Sequence, residues 1–411
     1  MYLRVILLSD RLNGINNLMN HSIYIHIPFC KHRCHYCDFN TYAGKEESIP
    51  DYVDALIEEI RIVINSIEKI PVHTIYFGGG TPSLIPISLF KKIISVLKSG
   101  CLLSKDVEIS LEANPGTINL DYLLGLRDLG FNRLSLGVQS TNSQDLFRLD
   151  RFHDIEDVLN SMSFARKAGF TNISLDLILG LPWQDLRSWE ETLKRALELQ
   201  PDHLSIYSLI IEPGTVFYNW YQKGKIVLQD QDLEADMYEL TMDKLETEGF
   251  EHYEISNWAR TAPKVDFRSL HNLQYWLNLP YLGFGAGAHG YASDIRTENV
   301  KRIDEYITLI QQNGSNLFDF PRSPSTINTT LVDNATKMRD FMLLGLRLVS
   351  QGVTQSRFQD DFGLSMRHVF LKEIEELIKQ GLIFWADDEQ NQLKLTKRGV
   401  LLANRVFMAF V

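Results

Sequence analysis

Tyr24-Ile-His-Ile-Pro-Phe-Cys30-Lys-His-Arg-Cys34-His-Tyr-Cys37-Asp-Phe39 is the stretch from which the fold of this chain is read. Ile23, Ile25 and Ile27 alternate as in a strand, and Pro28 ends the run. The C-x3-C-x2-C spacing therefore falls on a tight loop at the C-terminal end of a first strand. Thiolates hold iron–sulfur clusters, and a cubane has four irons. Three close cysteines bind three of them and leave the fourth open to a small molecule. A structural zinc site asks for four closed ligands, and the remaining cysteine, Cys101, stands far off among leucines. Two plainer readings stand beside the cluster: zinc completed by His26, His32 or His35, and a disulfide with a leftover thiol.

The chain has 411 residues, room for one large domain and a smaller one. Hydrophobic content of 45% and charged content of 23% are ordinary for a globular protein. A net charge of −11 speaks against nucleic acid as a partner, which needs a basic face. Four cysteines, three of them clustered, fit a reducing cytoplasm. No apolar run approaches the ~18 residues of a membrane helix, so no membrane span is expected. The apolar run after Met1 is too short for a signal peptide. Met19 precedes the first strand, so residues 1–21 read as an N-terminal extension, with Met1 or Met19 as the start.

Downstream, strands alternate with helical patterns. His73 to Phe77 runs into Gly78-Gly-Gly-Thr-Pro-Ser83, Val107 to Glu112 into Asn114-Pro115, and Arg133 to Gln139, Asn172 to Leu179 and His203 to Leu209 follow. With the first strand these make six strand–helix units at roughly 30-residue spacing, the pattern of a parallel sheet under covering helices. The fold class is α/β: an open (β/α)6 partial TIM-type barrel over residues 22–250. A polar, aromatic segment at 251–312 packs on it. A stretch with two prolines, 313–328, reads as a linker into a smaller, mainly helical, winged-helix-like domain at 313–411. There Leu382 to Trp385 and Gln392 to Leu395 flank a turn like a hairpin.

In barrels of this kind, polar residues at the C-terminal strand ends line the site. Glu112, Gln139, Asp176 and the Gly78–Thr81 loop fall there, on the rim that carries the cysteines. Glycines let backbone approach a ligand closely, though three in a row also make an ordinary turn. Glu112, Asp176 and Arg151 read equally well as solvated or ion-paired surface groups. His271-Asn272-Leu-Gln-Tyr275-Trp276 sets a histidine beside two flat aromatics; such a histidine either packs in a loop or ligates heme iron. His289 carries the same ambiguity.

Taken together, these motifs resemble the radical S-adenosyl-L-methionine (SAM) superfamily. Tyr-Ile-His-Ile-Pro-Phe-Cys, Gly-Gly-Gly-Thr-Pro-Ser and Arg-Leu-Ser-Leu-Gly-Val-Gln-Ser narrow the resemblance to the branch of oxygen-independent coproporphyrinogen III dehydrogenase (HemN). That enzyme has a further cysteine two positions after the third, where this chain has Phe39, and a longer N-terminal segment. Cys-x3-Cys-x2-Cys-x-Phe with His-Asn-x-x-Tyr-Trp is instead the pattern of the heme chaperones of the HemW family. The resemblance implies a [4Fe-4S] cluster on Cys30, Cys34 and Cys37, with SAM on its fourth iron. It implies SAM contacts at Tyr24, Tyr36, Gly79, Gly80, Thr81, Glu112, Gln139, Arg151, Asp176 and Ile210, and heme contacts at His271, Asn272, Tyr275 and Trp276. It further implies a cytoplasmic protein without catalytic residues of its own. Such a protein takes heme, from a heme donor protein, to a membrane-bound respiratory acceptor. The alternative is the dehydrogenase's own reaction, radical decarboxylation of coproporphyrinogen III.

Overall fold

The computed structural model describes residues 21–313 and 318–411; the expected extension at 1–21, except His21, and residues 314–317 near the start of the expected linker lie outside them. Six strands form in chain order: β1 (His21–Ile27), β2 (Pro71–Gly79), β3 (Leu102–Ala113), β4 (Arg133–Gln139), β5 (Ile173–Leu179) and β6 (His203–Ser208). All are parallel and adjacent in that order. Their outward residues, such as Ile23, Ile75, Ile109, Leu134 and Leu175, are buried under the helices. The helix Ile49–Asn65 covers the sheet through Tyr52, Val53, Leu56, Ile60, Val63 and Ile64, an i, i+3/i+4 stripe.

The sheet extends past the six strands on both sides. Beyond β6 lie β7 (Phe250–Glu254) and β8 (Asn257–Arg260), a hairpin whose second strand pairs antiparallel with β6. Beyond β1 lie β9 (Tyr281–Phe284), parallel to β1, then β10 (His289–Ala292), β11 (Ile295–Asn299) and β12 (Thr326–Leu331), all antiparallel. The result is one twelve-stranded sheet, β12-β11-β10-β9-β1-β2-β3-β4-β5-β6-β8-β7. The end of the expected linker is thus sheet, with Ser323 and Ser325 buried before β12. These edge strands escape the sequence because they are short, four to six residues each, with little apolar alternation.

The C-terminal domain is helical around a three-stranded antiparallel sheet: β13 (Val353–Thr354), β14 (Ile383–Trp385) and β15 (Gln392–Leu395). The hairpin is the one expected, and β13 adds to its β15 edge in the manner of a winged helix. Among the described residues no helix is long and apolar enough to cross a membrane.

Candidate functional site

Side chains of a strand alternate between faces, and here the face turned into the open barrel is polar. Ser22, Thr74, Glu108, Ser135, Ser174 and Ser205 lie on it and are buried. At the upper, C-terminal end the cysteine loop is clamped where it leaves the barrel. Phe29–Cys30 and Tyr42–Ala43 form a two-residue parallel ladder, and Tyr42 N donates to Pro28 O at 2.7 Å. All three cysteines are free thiols, as is Cys101, so no disulfide closes this loop. Burial pushes the Cys30 and Cys37 thiols up from their ordinary values.

The glycine loop packs directly on this clamp. Gly80 N donates to Ile27 O at 2.8 Å and Thr81 N to Phe29 O at 2.7 Å. A Cβ on Gly80 would stand 2.6 Å from Phe29 O, so no larger residue fits there unshifted. Thr81 Oγ1 reaches Cys30 Sγ at 3.5 Å. Arg151 Nη1 reaches Cys34 Sγ at 3.6 Å, while Nη2 donates to Asn114 Oδ1 at 2.7 Å. Asn114 Nδ2 in turn donates to Thr81 Oγ1 at 3.0 Å. Asn114 therefore bridges the two groups that touch sulfur. The signal for it was in the sequence: it lies two residues beyond Glu112 and so on the same face.

Below the thiols, Glu112 accepts Gly79 N at 3.0 Å and the Tyr76 hydroxyl at 2.7 Å. Burial, with Asp176 nearby, raises its carboxyl to about 7. Asp176 accepts from Ser135 at 2.9 Å and Ser174 at 3.3 Å; burial raises its carboxyl too, against the pull of those serines. Tyr24 stacks near Tyr76 and donates its hydroxyl to His26 Nδ1 at 2.9 Å, since His26 Nε2 must donate to Asn40 O. Gln139 sits at a β-bulge with φ +67°, a left-handed backbone seldom kept without local reason. Tyr36 packs on the small apolar cluster of Leu149, Ile178, Leu181 and Phe217. Ile210 is exposed on the loop after β6. Asp150, in a left-handed C-cap position, is gripped by both imidazoles of the cysteine loop: His32 directly, and His35 at 3.2 Å.

The His271 motif lies elsewhere. Residues 267–276 plug the lower end of the barrel: Arg133 donates to Phe267 O at 2.9 Å, and Glu108 accepts the Leu270 and His271 backbone N–H groups at 3.3 and 3.2 Å. His271 is 1% exposed and inside the lumen. Its Nδ1 meets Thr74 Oγ1 at 2.8 Å and its Nε2 the Tyr275 hydroxyl at 2.9 Å. Tyr76 stacks on it, ring centroids 5.0 Å apart. Burial holds the imidazole down at about 3, so it is neutral. Asn272 lies in the first turn, its N–H held by Ser269 Oγ. Trp276 turns outward, under the Arg347 guanidinium at 4.3 Å, against the C-terminal domain. The structure thus gathers the cysteines, glycine loop, Glu112 and Arg151 at the mouth. It sets His271 and Tyr275 at the floor and Trp276 outside. Tyr76, between Glu112 and His271, joins mouth to floor.

Among the described residues no three His, Cys, Asp or Glu side chains converge on a single ion. A cubane holds its irons at separate corners, and three free thiols on one clamped loop suit it, with a guanidinium at one sulfur and a hydroxyl at another.

An open parallel barrel with a three-thiol loop at its mouth defines a SAM-type iron–sulfur scaffold, and residues 24–196 match the radical SAM superfamily. Residues 332–402 match the HemN C-terminal domain. The chain is 42% identical to the heme chaperone HemW of Bacillus subtilis over 95% of its own length and 99% of that protein's. It is 36% identical to the HemW of Lactococcus lactis over 95% and 97%. Its fold superposes on coproporphyrinogen III oxidase (HemN) of Escherichia coli, described as a radical SAM enzyme. The TM-score is 0.81 at 26% identity, covering 98% and 93% of the two chains. The chain belongs to the HemW family of heme chaperones, within the radical SAM superfamily.

Proposed function

We propose that this chain binds heme in the cytoplasm and hands it to an acceptor heme protein, using a [4Fe-4S] cluster and SAM held at the barrel mouth. The observation that carries the reading is the 42% identity, across nearly both full lengths, to a relative named a heme chaperone. Phe39, in place of a fourth cysteine, agrees with it. When bound, cluster and SAM supply an electron and a reactive adenosyl group. Cys30, Cys34 and Cys37 hold the cluster, and Arg151 offsets the negative charge of their thiolates. Gly79, Gly80 and Thr81 bring backbone to the ligand. Tyr24, Tyr36, Glu112, Gln139, Asp176 and Ile210 surround it. His271, Asn272, Tyr275 and Trp276 serve the heme. The acceptor is a membrane-bound respiratory heme protein, and a heme donor protein stands upstream. The test is an anaerobic hemin titration of cluster-reconstituted protein beside His271→Ala, followed at the Soret band. Saturation near one heme per chain, lost or shifted in the variant, is expected; no specific binding in the wild type would end this reading.

The likeness to HemN favours a second reading, oxidative decarboxylation of coproporphyrinogen III. Product formation by the reduced, cluster-loaded protein, with the dehydrogenase as control, would establish it.

A further inference from the structure

We infer that the Thr41 hydroxyl is a hydrogen-bond donor kept for the sulfurs of Cys30 and Cys37, and that it raises the reduction potential of the cluster those cysteines hold. Thr41 is 6% exposed, and its Oγ1 is buried without a hydrogen-bond partner among the described residues. Buried polar atoms are nearly always bonded, so an orphan of this kind needs an explanation, such as a missing ligand. The backbone on either side of it is pinned. His26 Nε2 donates to Asn40 O at 2.9 Å, and Tyr42 N donates to Pro28 O at 2.7 Å. The Asn40 side chain is held as well, by Ala286 O and Lys301 O. What the hydroxyl faces is sulfur: burial drives the Cys30 and Cys37 thiols up, and Thr41 draws both partly back.

A protonated thiol is a weak acceptor, so the hydroxyl stands idle beside it. A cluster thiolate carries charge, and a hydrogen bond to a charged group is about twice as strong as a neutral one. The neighbouring donors follow the same plan. Thr81 Oγ1 reaches Cys30 Sγ at 3.5 Å, Arg151 Nη1 reaches Cys34 Sγ at 3.6 Å, and the Phe39 N–H draws on Cys37. Thr81 and Arg151 are also tied to Asn114, so of these three side chains Thr41 alone has nothing else to bond. Hydrogen bonds to the sulfurs are among the factors that set the potential of an iron–sulfur cluster. A donor favours the reduced form, whose negative charge is larger. Thr41 is a positioning residue that acts through the two cysteines. The inference rests on the cluster reading above and adds to it a residue that sets how readily the electron is taken up.

The experiment is an anaerobic redox titration of the cluster-reconstituted full chain, without SAM, in wild type, Thr41→Val and Thr41→Ser. The electron-paramagnetic signal of the reduced cluster is followed against potential. Thr41→Val keeps the shape and removes the donor, and it should favour the oxidised form about tenfold, a midpoint lowered by about 59 mV for one electron. Thr41→Ser should stay at the wild-type potential. Urea unfolding of the metal-free proteins separates this effect from packing: having lost an orphan donor, Thr41→Val should be at least as stable as wild type. A Thr41→Val protein at the wild-type potential overturns the inference, and so does a Thr41→Ser protein shifted as far as Thr41→Val. A marked loss of metal-free stability in Thr41→Val overturns it too, since the hydroxyl would then be bonded before any cluster is present. A wild type that takes up no iron and sulfide brings down the cluster reading itself, and the inference with it.

Discussion

The Glu59 carboxylate, with no exposed surface, accepts the Ser325 hydroxyl at 2.7 Å and so ties the first described long helix to a residue 266 positions further on. Four more donors reach the same group: Gly285 N, Asn299 Nδ2, Tyr306 Oη and Ser323 Oγ, at 2.7–2.8 Å. A carboxylate offers about four lone-pair sites, so this one is fully used. The knot bears on the mouth of the barrel. Ala286, next to Gly285, donates to the Tyr52 hydroxyl at 2.9 Å, and that hydroxyl donates to His26 O at 2.8 Å. Asn40, just after the cysteines, donates to Ala286 O and Lys301 O, both at 3.0 Å.

Removing Glu59 leaves five donors in a dry site without their acceptor. Glu59→Ala should lower stability by at least about 3 kcal/mol, since each buried donor left without an acceptor costs about 1–3 kcal/mol. It should also loosen the cysteine loop, read as a lower iron content after reconstitution. Urea unfolding measures the first effect and iron analysis the second. A loss under about 1 kcal/mol would mean the knot holds nothing together.

Gly80 is where two backbones touch. A Cβ there would lie 2.6 Å from Phe29 O and 2.9 Å from Ile27 O, neither of which can swing away as a side chain would. Gly80→Ala should therefore part the glycine loop from the cysteine clamp, at about 1–3 kcal/mol as for other overpacked sites. Its cluster should change electron-paramagnetic signature when SAM is added less than the wild type's does. An unchanged response would show that the clamp tolerates a methyl group.

Much of this was legible in the sequence, and what escaped it has physical causes. The cysteine loop stands out because thiols are rare and their spacing is chemical. Strand ends such as Glu112 and Asp176 stand out because alternation assigns their face. Glu59 does not: in Glu58-Glu59 it reads as a solvated helix residue, and only donors from three distant segments make it buried. The edge strands β9–β12 hide for a similar reason, since their pairing partners, not their own pattern, define them. The His271 motif reads as one site in sequence, yet helical geometry turns Trp276 away from the lumen that holds His271 and Tyr275.

Asp150 separates local organisation from global stability. It sits 28% exposed between His32 and His35 of the cysteine loop, next to Arg151. Partly exposed pairs contribute about 0–1 kcal/mol, and alanine in this left-handed position, φ +61°, costs about 1 kcal/mol more, so Asp150→Ala should lose only about 1–2 kcal/mol of stability. The same change frees the loop's two imidazoles and the backbone that carries Arg151 to Cys34. Its reconstituted cluster should bleach faster in air, measured by the decay of visible absorbance. Equal bleaching rates would leave the clasp without a role at the cluster.

Glu112 gives the site a pH dependence whose two signs can be read separately. Its carboxyl is raised to about 7 by burial and by Asp176, from an ordinary value near 4.5. Below that ordinary value the group is protonated both folded and unfolded, and it adds no pH dependence. As pH rises towards 7 the unfolded chain gives up a proton that the folded one keeps. The stability of the ligand-free protein should therefore fall across that window and level off above it. SAM, a sulfonium cation, should prefer the ionised carboxylate. Roughly one Glu112 in eleven is ionised at pH 6 and ten in eleven at pH 8, so SAM affinity should rise about tenfold between them. Glu112→Gln should flatten both curves, the stability curve through loss of the titrating group and the binding curve through loss of the charge. Calorimetric SAM titrations of the cluster-loaded protein at the two pH values, beside urea unfolding of the ligand-free protein, give the two slopes. If SAM affinity in the wild type does not rise over that interval, Glu112 is not the group that meets the cation.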